Sequence, residues 1–203
     1  PLRSGPGALS ILMVLLCVTA LVALIGAAGV SVGIAMARFA RPGSLPWTVV
    51  GGAAGGLVVG AFGKLLGLDA FTLLVGRSPG DITGASEGAL IGAAVGCATA
   101  LAFGTSSARR AGAIAALCGA SAGIVIWLLG GRLMLGSLEG LSRGFPSSRL
   151  RLDLISHPFT EPMLNRVTHL LAAGAEAALF SVGVVVAIVV ARRKFLRQPA
   201  RTR

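Results

Sequence analysis

Two carboxylates stand inside apolar stretches of this chain, Glu87 between Thr83 and Phe103 and Glu176 between Val167 and Ala191. An ionised side chain is costly inside a bilayer and ordinarily faces a partner or a cavity, so these two are the first candidates for chemistry. Together they would form an ion or proton site. Singly they would pair with Arg77, Arg132 or Arg166, or reach outward to water, and this structural role is the favoured one. Counting back from Arg109 and Arg192 at ~1.5 Å per residue sets Glu87 roughly 33 Å and Glu176 roughly 24 Å from the far surface, in the outer part of a membrane.

His169, near the start of the last apolar segment, belongs to the same group of ionisable residues. Haem of the b type needs axial ligands facing each other across a bundle, and His157 lies in a connector, so neither haem nor a metal is expected. Lys64 and Lys194 sit near membrane boundaries, which argues against a buried Schiff base. Cys17, Cys97 and Cys118 fall inside apolar segments as small apolar residues and imply neither a disulfide framework nor a metal site. No zinc-binding His-Glu-x-x-His, Gly-x-Ser-x-Gly elbow, phosphate loop or acidic magnesium cluster is present. The chain therefore reads as non-enzymatic, with no cofactor.

The elements that must position these residues are membrane helices. Of 203 residues 55% are hydrophobic and 12% charged, and the mean hydropathy is +0.87. A soluble domain of this size could not hide so much apolar surface. About 20 apolar residues cross a hydrocarbon core of roughly 30 Å. Five segments qualify, at residues 9–37, 47–66, 83–105, 111–130 and 167–191, and the fold class is an all-α polytopic bundle. The first is too long for a removable signal peptide and lacks a small-residue cleavage site. It is long enough to tilt or to extend past the bilayer. The chain begins with Pro1 rather than Met, which reads as a trimmed or partial product.

Glycines recur at four-residue spacing: Gly84, Gly88, Gly92 and Gly96; Gly52, Gly56 and Gly60; Gly29 and Gly33; Gly119 and Gly123. Each row puts a smooth strip on one helix face, where another backbone can approach closely. The strips are expected to hold a second membrane protein or further copies of this chain, with Gly88→Leu or Gly92→Leu disrupting association but not insertion. The spacing loosely resembles that of mitochondrial translocase channel subunits, but it is common to many membrane proteins and no residue role follows from it.

Charge placement orients the chain. Arg38, Arg41, Arg109, Arg110 and the tail from Arg192 to Arg203 fall on one face with no acid, whereas the other face mixes Arg3, Lys64 and Arg77 with Asp69, Asp81 and Glu139. The first is read as cytoplasmic and the amino terminus as outside. The net charge of +11 then reflects topology and attraction to anionic headgroups, and nucleic acid is not an expected partner. Arginine-rich, lysine-poor usage fits a prokaryotic inner membrane.

The last two hairpins look related. Gly63-Lys64-Leu65 matches Gly131-Arg132-Leu133, and Ala85-Ser86-Glu87-Gly88-Ala89-Leu90 matches Gly174-Ala175-Glu176-Ala177-Ala178-Leu179. The single membrane domain, 1–203, then divides into an N-terminal span (1–45), one hairpin (46–110), a second hairpin with a long outer connector (111–192) and a basic tail (193–203). Residues 64–77 and 132–143 are expected as short amphipathic helices lying on the membrane surface. Ser78-Pro79-Gly80-Asp81 reads as a capped helix start for the third span. Residues 149–155 alternate almost throughout, as a short extended edge or interfacial turn would.

Overall fold

A computed structural model describes residues 6–75, 83–105, 107–131, 133 and 162–196. It contains α1 (Pro6–Ala40), α2 (Leu45–Val75), α3 (Ala85–Ala102), α4 (Ala108–Leu128) and α5 (Pro162–Leu196), with no strand among the described residues. All five are long and apolar enough to cross a membrane, over Leu16–Ala40, Leu45–Ala70, Ala85–Ala102, Ala108–Leu128 and Arg166–Phe195. The architecture fits a multi-pass membrane protein. A helix satisfies the backbone groups between its two ends from within, which is what hydrocarbon demands of apolar Ala-, Val- and Leu-rich runs such as these.

Successive helices run antiparallel, so the C-terminal ends of α1, α3 and α5 gather at one end with the starts of α2 and α4. This is the basic end of the bundle. Gly43, at φ +80°, makes the turn between α1 and α2. Ser44 then starts α2, its Oγ accepting from Trp47 N–H at 3.5 Å and its carbonyl from Thr48 N–H at 3.2 Å.

The glycines decide the packing of α2. On a helix, residues one apart point about 100° apart, so Gly51-Gly52 and Gly55-Gly56 line two faces at once. One face carries Gly51 and Gly55 against Gly33 and Gly29 of α1. The other carries Thr48, Gly52, Gly56 and Gly60 against Gly96, Gly92, Gly88 and Gly84 of α3. At Gly33–Gly51, Gly52–Gly92 and Gly56–Gly88 the contact is reciprocal: a Cβ on either residue would meet the other's carbonyl oxygen well inside 3.0 Å. The hydrogen that glycine carries there points at that carbonyl, a weak Cα–H···O contact repeated at each step.

The side-chain core forms elsewhere. Val30 and Ile34 of α1 pack with Val95, Ala98 and Ala102 of α3, Ala111 and Ala115 of α4, and Val184, Val185 and Val189 of α5. No described α2 side chain belongs to that cluster, because α2 meets its neighbours chiefly through backbone, with the Val59 side chain against Gly29 of α1 as an exception. The α4–α5 contact mixes the two modes, with Gly119 against Ala177 and Ser181, and Gly123 against Ala173.

Two expectations change. Residues 64–75 are not a separate surface helix; they continue α2 without a break, giving 31 residues, or ~46 Å at 1.5 Å per residue. Nor does α3 begin at Ser78: Gly84 is its N-cap, with extended φ −136° and ψ −157°, and Ala85 is the first helical residue. Ser78 to Asp81, the connector 132–143 apart from Leu133, the alternating 149–155, His157 and the tail beyond Leu196 lie outside the described residues.

Candidate functional site

Glu87 sits in the first turn of α3, three residues after the N-cap. Its Oε2 accepts from Gly84 N–H at 2.9 Å and from Ser86 Oγ at 2.9 Å. This is one half of a capping box, since glycine has no side chain with which to return the bond. A carboxylate here also meets the positive end of the helix dipole. Glu87 thus has work within its own helix.

Its surroundings come from two other helices. Helix α4 ends in a Schellman motif, with Gly130 at φ +78° donating to Trp127 O at 3.0 Å and Gly131 to Ile126 O at 2.9 Å. That turn brings Gly131 against Glu87: a Cβ at Gly131 would lie 3.0 Å from Oε1. From α2 comes Lys64, whose Nζ and Glu87 Oε2 each lie 3.5 Å from the position of a Cβ on Gly84. Ser86, Glu87, Leu90, Ile126, Leu129, Gly130 and Gly131 line a cavity of about 270 Å³.

The residues singled out from the sequence are not all gathered there. Glu176 is half-buried on α5 and is not in the cavity lining. His169 is half-buried near the start of α5 and Arg166 is exposed a turn earlier. Arg77 and Arg132 lie outside the described residues. Among the described residues, Lys64, which the sequence places on a surface connector, brings a cation to the start of α3 near Glu87. A signal for it existed: Lys64 continues the row Gly52, Gly56, Gly60 by one more step of four, so it points at the start of α3. Gly51 and Gly55 are a second four-step pair within the same Gly51 to Gly60 run, whose glycine-rich spacing reads as close packing.

What this arrangement can do chemically is bounded by Glu87. One carboxylate oxygen is committed to the cap, and the other faces a small cavity between the start of α3 and the end of α4. Glu87→Ala should cost about 1 kcal/mol of stability by removing the cap acceptor and the charge at the helix start. Glu87→Gln, which keeps an acceptor, should cost less, and amide exchange at Gly84 to Gly88 measures both. Equal loss from the two would mean that charge, not the cap, is what matters. Compared with protein-family models, with curated proteins and with solved structures, the chain matches none.

Proposed function

We infer that the chain is a non-enzymatic integral membrane protein, an accessory subunit, anchor or assembly scaffold that holds another membrane protein or its own copies. The observation supporting this is the first half of α1. From Met13 to Ile25 its apolar side chains are exposed on nearly every face, Leu16 by 59% and Leu24 by 68%, whereas Val30, Ile34 and Ala37 beyond them are buried. The glycine rows of α2 and α3 are occupied inside the chain, so the surface offered to a partner is this bare length of α1 rather than a glycine strip. The orientation that follows from the basic end is cytoplasmic for the C-terminus, in a prokaryotic inner membrane.

The test is site-specific photo-crosslinking from Leu21 and Leu24 in native membranes, followed by gentle purification and mass determination. A stoichiometric protein adduct, or a dimer of this chain, is the expected result. Adducts with lipid alone on a monomer would overturn the reading.

The cavity at Glu87 favours one second reading, a small transporter or channel with Glu87 and Glu176 near the pathway. Glu87→Gln and Glu176→Gln would then abolish ion or proton flux in vesicles while leaving the fold intact. Unchanged flux, or none in the parent protein, rejects it.

A further inference from the structure

At the basic end, two guanidinium groups share one aromatic ring. Arg38, in the last turn of α1, holds its Cζ 3.6 Å from the centroid of Phe103, and Arg192 of α5 holds its Cζ 4.5 Å from the same centroid. Phe103 is the C-cap of α3, so three helix ends meet at that ring. Next along α5, Arg193 buries its Nη2 with no hydrogen-bond partner among the described residues.

Stacking on the ring and the negative ends of the helix dipoles explain part of this arrangement. They do not supply acceptors. A guanidinium carries five N–H donors. Among the described residues, the one hydrogen bond from these three arginines is Arg192 Nη1 donating to Phe103 O, at 3.5 Å the outer limit of such a bond. Like charges so close repel, and a buried donor left unmet is costly. No Asp or Glu occurs in residues 38–47, 101–112 or 190–203, so the nearby sequence brings no counter-ion. The neighbouring start of α4 adds to the excess: Ser107 makes no side-chain cap bond, and Arg109 and Arg110 fill the first turn, where the dipole favours an anion.

We propose that Arg38 and Arg192, stacked on Phe103, bind the phosphate of an anionic phospholipid headgroup, with Arg193 adding charge next to Arg192 in the chain. The candidate spans of α1 and α5 end at Ala40 and Phe195, and Arg38 and Arg192 follow directly on the apolar stretches that close at Ala37 and Ala191, so the cluster stands at the height where hydrocarbon gives way to headgroups. Exposed Phe39 and Phe195 flank it and offer apolar surface to the acyl chains. Guanidinium forks match phosphate oxygens in pairs, which a point charge does not. The ring keeps two forks from turning away.

The experiment uses the full chain, purified in mild detergent and stripped of lipid. It is titrated with phosphatidylglycerol or phosphatidylcholine of the same acyl chains, and bound lipid is counted by native mass spectrometry. Phosphatidylglycerol should bind about tenfold more tightly than phosphatidylcholine, and Arg38→Gln with Arg192→Gln should erase that preference. Arg166→Gln, at the opposite end of α5, should leave it unchanged. Should the double glutamine variant fail to fold, Arg38→Lys with Arg192→Lys, and separately Phe103→Leu, should each weaken the preference. Equal binding of the two lipids, or a preference untouched by these variants, overturns the proposal. Displacement of phosphatidylglycerol by inorganic phosphate with equal affinity would identify a free phosphate as the ligand and overturn it too.

Discussion

Gly92→Leu is expected to force α3 away from α2 and to loosen the centre of the bundle, not merely its assembly with a partner. A Cβ at Gly92 would meet the carbonyl carbon of Gly52 at 2.8 Å and its oxygen closer still, with the Cα of Gly56 at 3.2 Å. Overpacking costs about 1–3 kcal/mol where side chains can shift. Here the obstacles are helix backbone on both sides, so the leucine should exceed that range, and alanine should fall within it. Gly183→Ala is the matched control, because nothing lies within 4 Å of its Cβ position on α5. It should be neutral or add about 0.5–1 kcal/mol, the usual gain when a helical glycine becomes alanine. Reversible unfolding in mixed micelles, followed by helix content, compares the three. If Gly92→Ala behaves like Gly183→Ala, the close contact between α2 and α3 is not present in the membrane.

Gly51→Leu and Gly52→Leu change adjacent residues and should fail in different ways. Gly51 touches the carbonyl of Gly33 and the Cβ of Ala37, both on α1, whereas Gly52 touches Gly92 and Gly96 on α3. Helix α1 is held chiefly through α2, so the first variant should release α1 and leave α2 to α5 packed. The second should separate α2, with α1 attached, from α3. Paired cysteines report this: Ala28→Cys with Ala54→Cys should lose its cross-link only in the first variant, and Ala53→Cys with Ala89→Cys only in the second, each yield being compared with that of the parent. Each release should cost about 3 kcal/mol or more, since an entire backbone contact is lost. Loss of both cross-links in both variants would mean that the two faces of α2 are not independent.

Much of the fold was legible because the bilayer imposes it. Five apolar runs of sufficient length became five helices, each with ends within a few residues of the expectation except where α2 and α5 extend further. The misplaced features share a cause. The leucine-rich stretch with Lys64 and Asp69 looked like an amphipathic surface helix, but nothing in it breaks the helix: Gly63 and Gly67 fall inside the span Leu45–Ala70, where hydrocarbon leaves the backbone no better partner than its own helix. The Ser-Pro-Gly-Asp start was chemically sensible, yet Gly84 with Glu87 supplies the cap described at the start of α3. Four-residue spacing marked faces fit for close approach. It carried no information on whether the approaching backbone belongs to this chain.

The sequence by itself determined the class of solvent that five apolar runs fit, their length as helices able to cross it, and the concentration of positive charge at one end. These follow from transfer free energy, which is summed along the chain and needs no knowledge of neighbours. Tertiary structure alone decided that α2 spends both glycine faces inside the chain, that Lys64 reaches the start of α3 near Glu87, and that Arg38 and Arg192 meet on one ring. In lipid, apolar side chains gain nothing by leaving hydrocarbon for one another, so helix pairing rests on shape and on short backbone contacts. Such contacts depend on which faces meet at which height, a property of pairs of helices that no single segment records.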